Sequence, residues 1–235
     1  MEPQVCYLKR DRAMTEAEIR NALIARLASS PAGADAAFIS ELFLDNFSRR
    51  ADLVMANGKL AVFEIKSSRD TLDRLSGQLE TYLLFFEHVT VVCAPKHLAA
   101  VVAVVPEGVG VWEAGDDGTL RIVRRARARS LPSKENWVSF LPVDELRALL
   151  RMHELRAVGT RDELVREIEG LSLKAVREYV LSYMKRREQR IHSLREQRKE
   201  TARVSPCRPI PKISQYLRQL QETNLIAIPR KVIAP

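Results

Sequence analysis

Residues 52–66 read Asp-Leu-Val-Met-Ala-Asn-Gly-Lys-Leu-Ala-Val-Phe-Glu-Ile-Lys, and this stretch decides the fold. Two apolar runs flank Asn57-Gly58, a dipeptide that tolerates the positive φ angles of a type I′ turn. The pattern therefore predicts two antiparallel strands joined by a tight turn. Because strand side chains alternate between faces, Glu64 and Lys66 share one face and Ile65 points into the core.

The length of the turn decides which residue faces Asp52. A loop from Asn57 to Lys59 places Asp52 opposite Glu64, with the two Cβ atoms about 5 Å apart. A two-residue loop places Asp52 opposite Phe63 instead. The sequence leaves both registers open.

Two carboxylates and an ammonium group on one strand face suit a divalent cation and an attacking water. Mg²⁺ usually binds one or two protein carboxylates and leaves its other positions to water and substrate phosphate. The ion would activate the water, and Lys66 would orient it or offset negative charge in the transition state. The alternative is a solvated edge hairpin that Lys66 protects from pairing. The apolar neighbours Val62, Phe63 and Ile65 favour a buried strand, where charged side chains need partners.

Asp52 and the segment Glu64-Ile-Lys66-Ser67-Ser resemble the core motif of the PD-(D/E)XK nuclease superfamily. In that superfamily the acidic residues bind a divalent metal and the lysine assists hydrolysis. The resemblance implies a restriction-endonuclease-like fold, catalytic roles for Asp52, Glu64 and Lys66, and Mg²⁺ as the cofactor, for which Mn²⁺ substitutes. Ala51 stands where the name-giving proline of the motif would be.

The next segment, residues 70–82, is similar to the helix that follows this motif in RecB-like members. Gln78 and Tyr82 match their Q-x-x-x-Y pattern, and the i, i+4 spacing puts both on one helix face. The resemblance implies that these two residues and Ser67 shape the site or contact DNA. Over residues 15–112 the chain looks most like an uncharacterised bacterial family of small nuclease-like proteins.

A further acidic metal ligand often comes from upstream in this fold, and Glu41 is the favoured candidate. It lies in a predicted strand over residues 38–44, and a tight turn near Asn46 would bring it opposite Asp52. An exposed strand position explains Glu41 equally well.

Composition excludes several classes of protein. The chain has 235 residues, and no stretch of about 18 apolar residues or signal-peptide pattern is evident, so we expect a cytoplasmic protein without membrane contact. The three cysteines, Cys6, Cys93 and Cys207, are far apart, which excludes a disulfide framework and a structural zinc site.

Charge is distributed unevenly along the chain. Residues 1–120 contain 12 Lys and Arg against 17 Asp and Glu, whereas residues 121–235 contain 26 against 13. An acidic half joined to a basic half suits a metal-dependent enzyme that binds a polyanion. The competing explanation is a solvated helix surface.

The order of the predicted elements indicates an α/β core over residues 1–130, with a mixed sheet flanked by helices. Residues 131–172 form a second, mainly helical module. In it, Gly159-Thr-Arg161-Asp-Glu-Leu-Val resembles the signature of the SAP-type nucleic-acid-binding motif, which implies that Arg161 meets phosphate. A helical hairpin packed on the core is an equal alternative.

Residues 173–235 are predicted to form a basic helix and a tail. Lys185, Arg186 and Arg187 lie in this helix, which would follow a DNA backbone or pair with a partner helix. The tail contains an apolar segment near its end, which is a hint of contact with a second copy or with another protein.

Together these features predict a Mg²⁺-dependent deoxyribonuclease of bacterial or phage type. One alternative is a non-catalytic DNA-binding or assembly protein on the same fold. Another is a nuclease directed at RNA, because basic charge suits both nucleic acids.

Overall fold

The computed structural model describes residues 12–44, 49–131 and 133–204. Four features of the sequence analysis lie outside these residues: Cys6, Cys207, the tail, and the turn expected near Asn46. In chain order the elements are α1 (Glu16–Ala28), β1 (Ala37–Leu44), β2 (Arg49–Ala56), β3 (Leu60–Lys66), α2 (Leu75–Phe85), β4 (His88–Cys93), a short 3₁₀ helix (Pro95–His97), α3 (Leu98–Val104), β5 (Gly110–Ala114), β6 (Leu120–Arg124), α4 (Lys134–Val138), α5 (Val143–Met152), α6 (Arg161–Ile168) and α7 (Leu173–Val204).

The strands of the described region form one six-stranded sheet in the order β1-β2-β3-β4-β5-β6. Strands β3, β4 and β5 run parallel to one another, and the pairs β1–β2, β2–β3 and β5–β6 are antiparallel. The predicted α/β class, with a mixed sheet flanked by helices and a helical C-terminal region, is confirmed.

The β2–β3 hairpin adopts the longer of the two predicted loops. The last strand pair before the turn joins Ala56 to Leu60, which leaves residues 57–59 as the loop. Gly58 has a φ angle of 64°, the left-handed conformation that glycine adopts without strain. Continuing this register places Asp52 opposite Glu64.

Strand β3 is buried along its whole length and separates two apolar cores. Val62 packs in the core shared with α2 and with α4 to α7, whereas Phe63 and Ile65 pack in the core shared with α1. Because alternate strand residues face opposite sides, Glu64 and Lys66 lie on the α2 side of the sheet.

Helices α5, α6 and α7 bury leucine and valine side chains in the same core as the sheet. These residues include Leu146, Leu149, Leu164, Val176 and Val180. The chain divides into two compact units, one ending at Ile191 and one beginning at His192. In the part of the chain that the structure describes, no helix combines the length and the apolar character needed to cross a membrane.

Two helices begin with a capping box. The Thr15 side chain accepts a hydrogen bond from the Glu18 backbone N–H at the start of α1, and Thr160 accepts one from Glu163 at the start of α6. In both boxes the glutamate side chain returns to the threonine backbone N–H. Each box satisfies helix-terminal donors that would otherwise lack partners.

Candidate functional site

The predicted motif residues of β3 and α2 meet in one buried network. Lys66 Nζ donates to Glu64 Oε1 at 2.8 Å and to Gln78 Oε1 at 2.9 Å. The Tyr82 hydroxyl lies 2.7 Å from Glu64 Oε2 and donates to it. The Glu64 side chain is 1% exposed and that of Lys66 10%. Both oxygens of Glu64 therefore have a donor, as a buried carboxylate requires.

Asp52 lies beside this network. Its Oδ2 atom accepts a hydrogen bond from the Ile65 backbone N–H at 2.7 Å. Burial, followed by repulsion from Glu64, raises the pKa of Asp52 to about 7. Burial also raises the pKa of the Tyr82 hydroxyl, and Glu64 adds to that shift. Tyr82 is therefore a hydrogen-bond donor at any physiological pH.

Glu41 is bound to arginine side chains. Its Oε1 accepts from Arg20 Nη2 at 2.8 Å, and its Oε2 lies 2.6 Å from Arg50 Nε. The register of β1 and β2 does place Glu41 across from Asp52, between the pairs on either side of it. However, Glu41 has a left-handed φ angle of 58° and is absent from the lining of the cavity described below.

The predicted metal ligands do not form a ready-made site. Across residues 12–44, 49–131 and 133–204, no group of three or more His, Cys, Asp or Glu side chains is placed to hold a metal ion. A hydrated Mg²⁺ needs free carboxylate oxygens, and in this arrangement it would have to displace Lys66 or Tyr82 from Glu64. Binding of Mg²⁺ or Mn²⁺ here stays a prediction.

A cavity of about 350 Å³ opens beside the network. Most of its lining is charged, with four acidic and four basic side chains: Glu16, Asp52, Glu64, Asp70, Arg49, Arg50, Lys66 and Arg74. The predicted site residue Ser67 is not part of this lining but bonds to one of its members, since its N–H and hydroxyl both donate to Asp70 Oδ2, at 2.7 and 2.5 Å. Such a lining suits a charged ligand better than an apolar one.

Two of the predicted nucleic-acid contacts are hydrogen-bonded inside the protein. Arg161 donates to the carbonyl oxygens of Leu141 at 2.8 Å and Val138 at 3.2 Å, so it fastens α6 to the end of α4. Lys185 donates to Asn57 Oδ1 at 3.0 Å and fastens α7 to the β2–β3 loop.

The two arginines that follow Lys185 in α7 also lie against other parts of the protein. Arg186 donates to Glu145 at 2.9 Å, and its guanidinium lies 5.4 Å from the centre of the Tyr179 ring. Arg187 is partly buried, and its Nη1 atom has no hydrogen-bond partner among the described residues. A basic run in the sequence therefore does not give a fully exposed basic surface at this position.

Sequence reasoning missed Arg49 and Arg74, which line the cavity. Arg49 is the first residue of β2, and Arg74 directly precedes α2. Their position in the sequence could have indicated them, because Arg49 lies close to Asp52 and Arg74 lies close to Gln78.

The family model for Bacteriophage P4 protein cII matches residues 9–207. This chain belongs to the bacteriophage P4 cII family. One relative is Protein cII of Enterobacteria phage P4, which is 38% identical over 179 residues, covering 74% of this chain and 68% of the relative.

Among solved structures, a protein of unknown function from Silicibacter pomeroyi aligns with a TM-score of 0.41 and 20% identity. The alignment covers 68% of this chain and 97% of that protein. The similarity is too low to bear on function.

Membership of the cII family overturns the nuclease prediction. The cII match extends over residues 9–207, whereas the resemblance to PD-(D/E)XK nucleases depended on a few motif positions. The predicted superfamily, the Mg²⁺-dependent deoxyribonuclease activity and the hydrolase class were wrong. The SAP-like assignment around Arg161 stays a prediction. The sequence analysis also predicted a bacterial or phage protein, and the phage origin agrees with the family. Asp52, Glu64 and Lys66 have the spacing of the motif, but Lys66 and Tyr82 occupy the oxygens of Glu64.

Substitution of Lys66 tests the structural role of the buried pair. Lys66→Ala leaves Glu64 buried without its counter-charge, so we expect the free energy of unfolding to fall by about 3–5 kcal/mol. Urea denaturation followed by circular dichroism measures this change. Lys96→Ala removes an exposed lysine and is the control, with an expected change within about 0.5 kcal/mol. Equal effects of the two substitutions would contradict the structural role of the buried Glu64–Lys66 pair.

The raised pKa of Asp52 predicts a pH dependence of stability. Below the ordinary value of 3.8 the carboxyl is protonated in both states, and its contribution to stability is fully present. As pH rises toward about 7, the unfolded state ionises first, so this contribution declines and is lost above that pH.

Asp52→Asn mimics the protonated carboxyl and keeps an acceptor for the Ile65 N–H. We expect this variant to be more stable than the parent at pH 8 by about 1–3 kcal/mol, and less sensitive to pH between about 4 and 7. Chemical denaturation at several pH values measures both effects. Asp73→Asn, at an exposed position, is the control. If the parent and Asp52→Asn share one pH profile, Asp52 does not have the raised pKa.

Proposed function

We propose that this protein is a non-catalytic DNA-binding protein that contacts the phosphate backbone through arginines late in α7. Helix α7 contains ten lysines and arginines against four glutamates. The observation that carries the proposal is a difference along this helix. The earlier Arg177, Lys185 and Arg186 are bonded within the protein. By contrast, Arg190, Arg195 and Arg198 are exposed.

The first half of α7 is firmly attached to the sheet. Arg177 donates to both carboxylate oxygens of Glu87, at 2.8 and 3.1 Å, and to the carbonyl oxygen of Gly58. The same guanidinium lies 5.8 Å from the centre of the Trp137 ring. A bidentate, partly buried pair of this kind fixes the position of a helix better than a surface ion pair does.

The exposed arginines are suited to a polyanion. Within the described part of the chain, Arg190, Arg195 and Arg198 have no hydrogen-bond or ion-pair partner. Guanidinium groups bind phosphate oxygens and release condensed counterions, so they supply affinity without reading base sequence. A protein with this partner would act in the cytoplasm. The predicted contact of the tail with a second copy or another protein stays untested.

Fluorescence anisotropy with a labelled DNA duplex, over a series of salt concentrations, tests the proposal. We expect the triple variant Arg190→Ala/Arg195→Ala/Arg198→Ala to bind more weakly. The slope of log K against log salt should fall by roughly 0.9 for each phosphate that the variant no longer neutralises. Alanine keeps helix propensity, so the fold should persist.

The control removes the same charge elsewhere, in Arg121→Ala/Arg127→Ala/Arg151→Ala, where all three residues are exposed. If both triple variants lose the same affinity, binding depends on the net charge of the protein. That result would contradict a specific contact between the late arginines of α7 and DNA. Tight binding to an RNA duplex with weak binding to DNA would also contradict the proposal.

The non-catalytic part of the proposal has its own assay. Linear and single-stranded DNA incubated with the purified protein and Mg²⁺ or Mn²⁺ should remain intact, because Glu64 is occupied by Lys66 and Tyr82. Gel electrophoresis measures the remaining DNA. Cleavage that is present in the parent and lost in Glu64→Gln would show that the site is catalytic.

A further inference from the structure

Two guanidinium groups in the cavity lack partners among the described residues. Arg49 and Arg74 both line the cavity of about 350 Å³. Neither side chain has a hydrogen-bond or ion-pair partner in the part of the chain that the structure describes.

The other charged groups of the lining are already bonded. Their pairings are Glu64 with Lys66, Arg50 with Glu41, Glu16 with Arg20, Asp70 with Ser67, and Asp52 with the backbone N–H of Ile65. The lining has four acidic and four basic side chains, and among its charged residues Arg49 and Arg74 are the two without any partner in the part of the chain that the structure describes. A ligand that satisfied these donors would be an anion.

The guanidinium of Arg49 lies close to a glycine of α2. A Cβ atom built on Gly77 would lie 3.2 Å from Arg49 Nη2, so the guanidinium rests against α2 where a larger side chain would crowd it. The first turn of α2 has no acidic side chain that could neutralise Arg49. Arg49 therefore lines the cavity without an ion-pair partner among the described residues.

We propose that this cavity binds a phosphate group, with Arg49 and Arg74 as its donors, and that the group belongs to a nucleotide or to the 5′ end of a DNA strand. The planar guanidinium matches phosphate geometry through paired hydrogen bonds. The volume is that of a small-molecule site, which typically spans about 300–1,000 Å³. No residue of α7 is in the lining of this cavity, and the proposal goes beyond backbone binding by that helix.

Isothermal titration calorimetry on the full chain tests the site with three probes: inorganic phosphate, deoxyadenosine monophosphate, and a short duplex with either 5′-phosphate or 5′-hydroxyl ends. We expect Arg49→Gln and Arg74→Gln each to weaken binding of the preferred probe by roughly tenfold, the loss expected for a charge-assisted hydrogen bond. Arg151→Gln, an exposed arginine of α5, should bind as the parent does.

A second variant separates placement from charge. Gly77→Ala keeps both arginines and favours the helix, but it crowds Arg49, so we expect weaker binding without loss of stability.

The probes distinguish the source of the phosphate. Preferred binding of the mononucleotide assigns a nucleotide site, and preference for 5′-phosphate over 5′-hydroxyl duplex assigns a strand-end site. The comparison of the two duplexes cancels backbone contacts made by α7, so this proposal and the DNA-binding proposal can fail separately. No binding of any phosphate probe overturns the proposal, and so does unchanged binding by both Arg49→Gln and Arg74→Gln.

Discussion

The buried carboxylate of Glu64 is the constraint on which the central sheet depends. Its side chain is 1% exposed, and an unpaired charge in such a place would destabilise the fold by several kcal/mol. Lys66 from the same strand and Tyr82 from α2 supply one donor to each oxygen. Gln78 completes the network from the same face of α2. The polar network therefore ties α2 to β3, the strand that separates the two apolar cores.

This network also explains how a nuclease-like motif occurs in a cII-family protein. The motif requires two carboxylates and a lysine on one face of a hairpin, and the hairpin delivers that arrangement. In this protein, Lys66 and Tyr82 each donate a hydrogen bond to the carboxylate of Glu64. The carboxylate of Glu41 is bound to Arg20 and Arg50. Among the described residues, the groups with unused hydrogen-bonding capacity include arginines at the cavity and late in α7. These guanidinium groups are suited to binding phosphate.

Features that depend on neighbouring residues were predictable from the sequence. The Asn57-Gly58 turn, the burial of β3 and the capping boxes at Thr15 and Thr160 arise from local patterns, and each is present in the structure. The sequence leaves the register of the hairpin open because it depends on one residue of loop length. The pairing of Ala56 with Leu60 settles it.

Features that depend on tertiary contacts were not predictable in this way. The predicted position of Glu41 across from Asp52 is correct, but its left-handed backbone and its arginine partners depend on distant segments. Arg161 and Lys185 are free charges as far as the sequence shows, although carbonyl and amide oxygens far along the chain bind them. The motif around Glu64 was too short to define the family, whereas the cII match over residues 9–207 defines it.

Hydrogen–deuterium exchange of the full chain, with and without a duplex bearing 5′-hydroxyl ends, tests the central claim most directly. DNA held by the late arginines of α7 should slow amide exchange around residues 188–200. Exchange in β3 and at the start of α2 should stay unchanged, because the buried network around Glu64 makes no contact with DNA. Slower exchange confined to residues 49–78, with α7 unaffected, would contradict the claim and place DNA at the motif.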